Sequence, residues 1–205
     1  MIELGLKFTA AYLLGSILGG LVVGYFRGGV DIRELGSRNA GGTNAWRTQG
    51  KVFAFWVMVI DVGKGIVPVL VLPLMAIPGV GVDPQVSREV VTHAVGFGAI
   101  LGHVYPLWYD FRGGKGGATA AGVVCVVAPA VAVPAIVIWI AVIAVTRYVG
   151  LATMSVAVGA SAFIGITRLP EQPGLFVFSV VVAALILFTH QENIRRMRQG
   201  TESRI

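Results

Sequence analysis

The chain has 205 residues, of which 56% are hydrophobic and only 13% are charged, about half the charge of an ordinary soluble domain. With a mean hydropathy of +0.81, this composition excludes a water-soluble globular protein and indicates an integral membrane protein. The net charge is +6, but no basic run is interleaved with aromatic residues, so we expect no nucleic-acid partner. The single cysteine, Cys125, excludes an intrachain disulfide.

Seven apolar segments, separated by short polar connections, are candidate membrane helices. They cover 3–26, 52–81, 88–109, 116–131, 133–147, 151–168 and 173–189. A span needs about 17–25 residues, so the fourth, fifth and sixth segments are short, and Pro129 and Pro134 mark a break between the fourth and the fifth. The first segment lacks a strongly basic leader and an Ala-x-Ala signal, so we expect it to be retained. The sequence predicts an all-α polytopic membrane protein with about seven transmembrane helices (five as the alternative) in one domain, 1–205.

The basic residues of the connections predict the orientation. With seven spans and the N-terminus outside, twelve Lys and Arg residues lie in inner connections and three, Lys7, Arg88 and Arg168, lie outside. Because inner loops are enriched in Lys and Arg, we expect the N-terminus outside and the C-terminus in the cytoplasm. The polar stretches of the chain then lie on the cytoplasmic side.

Two inner stretches are suited to bind phosphate. The first, 36–47, contains Ser, Thr, two Asn and two Arg among three glycines, and the second places Gly-Gly-Lys-Gly-Gly at 113–117, before an apolar helix. Glycines let backbone N–H groups approach an anion, a helix N-terminus adds partial positive charge, and Arg and Lys add full charges. The alternatives are a hydrated loop for the first and a flexible hinge for the second.

Two other inner stretches carry weaker signals. The bend at 147–155 contains small polar residues, which a helix start explains by itself. In the tail, His190 and Asn193 share a face if the last helix continues, although a histidine at a helix end is usually only hydrated. The arginines of the tail suit anionic lipid.

Asp61 and Lys64 lie inside the second apolar segment, three residues apart on one helix face. Ionisable groups within a bilayer pair with one another or serve function. We expect a structural ion pair that orders the helices, so that removal of either partner damages folding.

Several chemistries lack their sequence patterns. There is no His-Glu-x-x-His and no cysteine cluster, so we expect no metal. The 113–117 glycines do not form a Walker A loop, because Tyr109 stands at its first glycine position and Gly116 at its hydroxyl position. A Gly-x-Ser-x-Gly elbow and a histidine followed five residues later by aspartate are also missing.

Three stretches in chain order, 36–47, 102–119 and 190–202, resemble the cytoplasmic motifs of the PlsY family, bacterial membrane enzymes that acylate glycerol 3-phosphate from acyl phosphate. Asp61-Val-Gly-Lys-Gly65 resembles that family's second-helix signature. The resemblance covers nearly the whole chain. It implies a seven-helix enzyme that moves a fatty acyl group from acyl phosphate to the 1-hydroxyl of glycerol 3-phosphate. The products would be lysophosphatidic acid and phosphate, formed in bacterial phospholipid synthesis without acyl-CoA, metal or other cofactor.

The resemblance also implies which residues form the site. The candidate catalytic residues are Ser37, Arg47, Lys115, His190 and Asn193. The candidate substrate-binding residues are Asn39, Gly41, Thr43, Asn44, Gly113, Gly114, Gly116, Gly117, Thr153 and Glu202. The chain departs from the family pattern at Arg38 and Gly42, where Gly and Ala are frequent, and at Gly150 and Thr153, where the bend usually carries paired serines. The implied partners are membrane lipid and an acyl-phosphate-forming enzyme.

Within this scheme, we expect Arg47 and Lys115 to hold the phosphates and His190 to bind substrate or relay a proton. With no Asp–His pair in the sequence, a substrate phosphate can take the proton itself. The rival from another class is a transporter or channel for a phosphorylated anion, which would keep its site near the midplane and open to both faces. A scaffold for anionic lipid would explain the arginine tail but not the Asn and Ser residues.

Overall fold

The computed structural model describes all 205 residues. The chain folds almost entirely into helices and forms two compact units, Met1–Val127 and Ala128–Ile205, called here the first and the second unit. The all-α fold expected from the sequence is confirmed. The single domain over 1–205 stays a prediction, since each unit is compact in itself.

The first unit contains six α-helices. They are α1 Ile2–Gly15, α2 Gly19–Phe26, α3 Gly42–Gln49, α4 Lys51–Val71, α5 Arg88–Val104 and α6 Gly117–Val127. Helix α4 is the central element and packs against all five others, while α1 packs mainly along α5. Residues 27–41, called here the first loop, connect α2 to α3, and residues 105–116, the second loop, connect α5 to α6. The two loops carry most of the polar groups of this unit.

The second unit contains four α-helices. They are α7 Ala132–Thr146, α8 Val149–Arg168, α9 Pro173–Thr189 and α10 Gln191–Arg198. Helix α8 packs against α7 and α9, and the short α10 contacts α8 and α9. The last residues of the chain return to the turn between α7 and α8, where the Ile205 N–H donates to the Arg147 carbonyl at 3.1 Å.

Every apolar segment predicted from the sequence contains helix, although the first is divided into two helices and the second ends its α-helix at Val71. Four helical stretches are long and apolar enough to cross a membrane: Lys51–Leu74, Arg88–Tyr109, Pro129–Thr146 and Val149–Arg168. Two bent pairs, α1–α2 at 44° and α9–α10 at 52°, raise the number to six, and α6 is a shorter apolar helix. At 1.5 Å per residue, α6 is about 16 Å long, roughly half of a hydrocarbon core. The structure thus has four to six candidate spans, and the count of seven stays a prediction.

The first segment, predicted as one helix, is broken between α1 and α2. Leu18 adopts an extended conformation there, so the chain leaves the helical hydrogen-bond ladder. The Ile17 carbonyl accepts from Lys64 Nζ at 2.6 Å and the Gly19 N–H donates to Asp61 Oδ1 at 3.1 Å. The ion pair of α4 therefore supplies partners for the backbone groups at the break, which lipid could not supply.

Asp61 and Lys64 contact one another as well as the break. Lys64 Nζ lies 3.0 Å from Asp61 Oδ1, and the two side chains are 6% and 1% exposed, respectively. The imidazole of His103, on α5, brings its Nδ1 to 3.5 Å from the same oxygen. Asp61 Oδ2 is buried without a hydrogen-bond partner, which makes the cluster sensitive to any loss of charge.

A second buried charge cluster lies at the other end of α1. The count of basic residues included Lys7 among those outside the membrane, and the structure places Lys7 within α1 with 2% exposure. Its Nζ lies 2.6 Å from Glu3 Oε1 and donates to the Pro73 carbonyl. Arg88 contacts the same two acceptors. The cluster thus connects the start of α1, the turn that follows α4 and the start of α5.

Glycines bring the backbones of α4 and α6 into close contact. A Cβ on Gly65 would overlap the Thr119 carbonyl, and a Cβ on Gly122 would overlap the Val62 carbonyl. Small residues at helix interfaces in lipid allow this approach. Gly63, two residues from Gly65 on the same helix, has nothing within 4 Å of the equivalent position.

We expect Lys64→Met to destabilise the protein by about 3–5 kcal/mol, because it leaves Asp61 charged, buried and without its main partner. The double variant Asp61→Asn/Lys64→Met should recover part of this loss. Thermal unfolding in detergent measures both, with the exposed Lys51→Met as control. A double variant no more stable than Lys64→Met would contradict an ion pair.

We expect Gly65→Ala to destabilise the protein by about 1–3 kcal/mol, the usual range for overpacking, because α4 and α6 must move apart. Gly63→Ala should be neutral or slightly stabilising, since alanine is the better helix former. The two unfolding midpoints are compared in the same detergent. Equal midpoints would show that α4 and α6 do not approach at Gly65.

Candidate active site

The first loop is organised around the side chain of Asn44, which lies in the first turn of α3 and is 2% exposed. Its Oδ1 accepts from the Ser37 N–H at 2.9 Å. Its Nδ2 lies 2.8–3.0 Å from three carbonyl oxygens, those of Ile32, Leu35 and Asn39. One side chain thus holds the loop at four points of the backbone.

The predicted role of Asn44 changes as a result. Both of its amide hydrogens and its oxygen are used within the protein, so the structure supports Asn44 as the residue that shapes the loop in place of a substrate ligand. Asn39 is partly used in the same way, because its Oδ1 accepts from the Gly41 N–H at 2.9 Å. Ser37 stands exposed on the loop that Asn44 shapes.

Helix α3 carries the other candidates of this stretch. Thr43 lies in its first turn, and the exposed Arg47 lies one turn after Asn44. Residues three apart lie on one face of a helix. Arg47 is therefore on the same side of α3 as Asn44, which bonds to the first loop. The sequence did not predict α3 as a separate helix.

The second loop carries Gly113–Gly117, and three of its glycines have local structural reasons. A Cβ on Gly113 would overlap the carbonyls at the end of α5, and one on Gly114 would overlap the His103 ring. Gly116 has a φ of +83°, which favours glycine. The Gly114 N–H donates to the His103 carbonyl at 3.0 Å. This N–H is therefore used within the protein, and a substrate-binding role for Gly114 stays a prediction.

Anion-binding capacity remains at the end of the second loop. Helix α6 begins at Gly117, and the first N–H groups of a helix have no acceptor within it. The half-buried Lys115 lies two residues earlier. A helix N-terminus with an adjacent ammonium group is a suitable environment for a phosphate.

Sequence reasoning missed Arg33, which connects the first loop to the second. Its Nη1 donates to the carbonyls of Arg112 and Tyr109, at 2.9 and 3.3 Å. Its Nη2 lies 2.8 Å from Asp31 Oδ2. The hydrogen bond from Arg33 lowers the pKa of Asp31, and the same bond raises the pKa of Arg33. The only available signal was an acid and a base two residues apart, directly after an apolar segment.

The second unit holds the remaining candidates, His190, Asn193 and Glu202, all less than 10% exposed. The condition under which His190 and Asn193 would share a helix face is not met, because the chain bends by 52° between α9 and α10. His190 Nδ1 lies 2.7 Å from the Ile186 carbonyl. Since a carbonyl only accepts, Nδ1 carries a hydrogen, and Nε2 is the nitrogen with the lone pair when the ring is neutral.

Glu202 folds back onto α10 and contacts two of its side chains. Asn193 Nδ2 donates to Oε1 at 2.6 Å, and Arg196 Nε donates to Oε2 at 2.6 Å. Glu202 therefore fixes the direction of the Asn193 amide. Arg196 was not among the predicted site residues.

The start of α8 carries Gly150 and Thr153, the positions where the chain departs from the family pattern. A Cβ on Gly150 would lie 2.8 Å from Asn193 Nδ2, so a larger residue would displace Asn193. Thr153, retained as a candidate binding residue, donates its hydroxyl to the Val149 carbonyl at 3.0 Å. Its hydroxyl could only accept from a substrate.

Comparison with known proteins gives consistent matches over almost the whole chain. Residues 6–200 match the family model described as glycerol-3-phosphate acyltransferase. Curated relatives with that name include one from Aquifex aeolicus (strain VF5), 38% identical over 95% of both chains. Another, from Geobacter sulfurreducens (strain ATCC 51573 / DSM 12127 / PCA), is 40% identical over 96% of this chain and 94% of its own.

Two crystal structures of PlsY, described as an integral membrane glycerol 3-phosphate acyltransferase, have a similar fold. The glycerol 3-phosphate form has a TM-score of 0.84 and 37% identity, and covers 98% of this chain and 95% of its own. The lysophosphatidic acid form has a TM-score of 0.82 and 36% identity, and covers 100% and 96%. The family resemblance predicted from the sequence motifs is thus confirmed, and this integral membrane chain belongs to the PlsY family of glycerol-3-phosphate acyltransferases.

Proposed function

We propose that this chain, a glycerol-3-phosphate acyltransferase, takes its acyl group from acyl phosphate and transfers it to the 1-hydroxyl. The observation that carries the proposal is the second loop, where Lys115 stands just before the N-terminus of α6, in a chain that matches the family over residues 6–200. The products are lysophosphatidic acid and inorganic phosphate.

The charge of the substrates supports this assignment. Glycerol 3-phosphate and acyl phosphate together bring about three to four negative charges, since each phosphate has a second pKa near 6. Arg47 and Lys115 supply full positive charges, and the start of α6 supplies N–H groups. Two anions that repel one another in water can be held at such groups side by side.

The chemistry needs little more than positioning. The hydroxyl oxygen attacks the acyl carbon, the bond from that carbon to the phosphate oxygen breaks, and the hydroxyl proton passes to the departing phosphate. Because an acyl phosphate is a mixed anhydride with a good leaving group, correct placement of the reactants can supply about 7–11 kcal/mol of the barrier. We assign Ser37 and Asn39 of the first loop to the glycerol hydroxyls.

His190 and Asn193 have roles that their contacts support. The Ile186 carbonyl fixes the orientation of the His190 ring, so that Nε2 of the neutral ring is the nitrogen suited to accept a hydrogen bond from a substrate hydroxyl. Glu202 holds the Asn193 amide in one direction, which suits Asn193 to orient a glycerol hydroxyl. Glu202 then acts on the substrate through Asn193.

We further propose that the protein lies in the bacterial inner membrane with its site facing the cytoplasm and its N-terminus outside. The excess of Lys and Arg in the inner connections supports this orientation, and the burial of Lys7 leaves only Arg88 and Arg168 outside. An enzyme that forms acyl phosphate is the expected partner, because this unstable donor needs a nearby source.

Purified protein in lipid should release phosphate and form lysophosphatidic acid from glycerol 3-phosphate and palmitoyl phosphate, but not from palmitoyl-CoA. Lys115→Ala should lower kcat/KM by at least 10²-fold, because it removes a charge that holds the reacting phosphate. Lys51→Ala, an exposed lysine at the start of α4, is the matched control. Product from palmitoyl-CoA alone would refute the donor, and no product from either donor would direct the next experiment to anion uptake into liposomes.

His190→Ala should raise the KM for glycerol 3-phosphate more than it lowers kcat if His190 binds substrate and the phosphate takes the proton. The measurement is a set of pH–rate profiles for the wild type and the variant. If the acidic limb, where activity falls as the imidazole is protonated, disappears in the variant, with kcat reduced and KM unchanged, His190 is instead the general base.

A further inference from the structure

The turn that precedes the Gly113–Gly117 stretch has an unfavourable backbone. Asp110 and Phe111 both have positive φ, +55° and +57°, and neither is glycine. Two consecutive left-handed residues of this kind persist only where their surroundings hold them. The Phe111 N–H donates to the Pro106 carbonyl and the Arg112 N–H to the Tyr109 carbonyl, both within the turn itself.

Arg33 supplies the contact from outside the turn. Its Nη1 donates to the carbonyls of Tyr109 and Arg112, the residues on either side of the left-handed pair. Its guanidinium also lies 5.7 Å from the centre of the Tyr109 ring, a distance typical of a cation–π contact. The arginine thus closes the turn from the side of the first loop.

The other edge of the guanidinium is occupied by Asp31. Nε lies 3.1 and 3.2 Å from the two carboxylate oxygens, and Nη2 lies 2.8 Å from one of them. Asp31 is itself fixed, because its Oδ1 accepts from the Arg33 N–H at 2.8 Å. With two edges used and a carboxylate beside it, this arginine is a poor ligand for a substrate phosphate.

We propose that Arg33 is a positioning residue, which holds the Gly113–Gly117 stretch and Lys115 in place relative to the loop that carries Ser37. The inference rests on the proposed function for its kinetic consequence, but its structural part concerns only the two loops. A lysine cannot replace the arginine, because one ammonium group cannot reach two carbonyls and a carboxylate in the plane of a guanidinium fork.

The test compares Arg33→Lys and Arg33→Gln with the wild type. Since a displacement of about 1 Å can cost 10²-fold in rate, Arg33→Lys should lower kcat/KM by roughly that factor, mainly through kcat. The salt dependence of kcat/KM should stay that of the wild type, because no phosphate contact is removed. Arg27→Lys, an exposed arginine of the same loop, should change neither.

Hydrogen exchange provides a measurement that does not depend on activity. Backbone amides in peptides covering 105–117 should exchange faster in Arg33→Lys, while those of α5 stay protected. If Arg33→Gln folds poorly, Asp31→Asn carries the same test, with a smaller increase in exchange, since it loosens one edge of the fork only.

The outcomes distinguish failure of the positioning role of Arg33 from failure of the proposed function. An Arg33→Lys enzyme within twofold of the wild type, with unchanged exchange, overturns the positioning role. A higher KM for glycerol 3-phosphate at unchanged kcat, with a weaker salt dependence, also overturns it and makes Arg33 a substrate ligand. A wild-type protein without activity refutes the proposed function, whereas the exchange measurement still decides whether Arg33 holds the second loop.

Discussion

The ion pair between Asp61 and Lys64 and the break between α1 and α2 depend on one another. A broken helix in lipid leaves carbonyl and N–H groups that no water can satisfy, and a buried charge in lipid needs polar partners. Here the two requirements meet, because Lys64 donates to the Ile17 carbonyl and Asp61 accepts from the Gly19 N–H. The break sets the direction of α2, and α2 leads directly into the first loop.

The glycine-rich stretches show how one residue type serves different needs. In the second loop, Gly113 and Gly114 let the chain pass close to the end of α5, and Gly116 permits a positive φ. In the first loop, the side chain of Asn44 holds the backbone conformation through bonds to four backbone groups. In the proposed function, phosphate is bound by Lys115, Arg47 and the start of α6.

In the second unit, Glu202, near the C-terminus, fixes the orientation of the Asn193 side chain. Glu202 bonds to Asn193 and Arg196 at once, and Asn193 packs so closely on Gly150 that a side chain there would displace it. A change at one of these residues is expected to affect the others, since they share contacts.

The amino-acid sequence by itself determined the membrane-embedded helical fold, the approximate bounds of the apolar helices and the motifs that identify the family. These properties depend on composition and on the order of residues along short segments, because the hydrophobicity of a segment and the positions of its charged residues decide whether it enters the bilayer. The break at Leu18, the burial of Lys7, the engagement of Asn44 and Gly114 and the contact of Arg33 with the second loop were decided only by the tertiary structure. The break, the burial of Lys7 and the contact of Arg33 depend on partners 42 to 79 residues away. Asn44 and Gly114 bond to groups 5 to 12 residues away, brought close by the path of the loops. No local pattern in a single sequence specifies which of these groups a given side chain or N–H will contact.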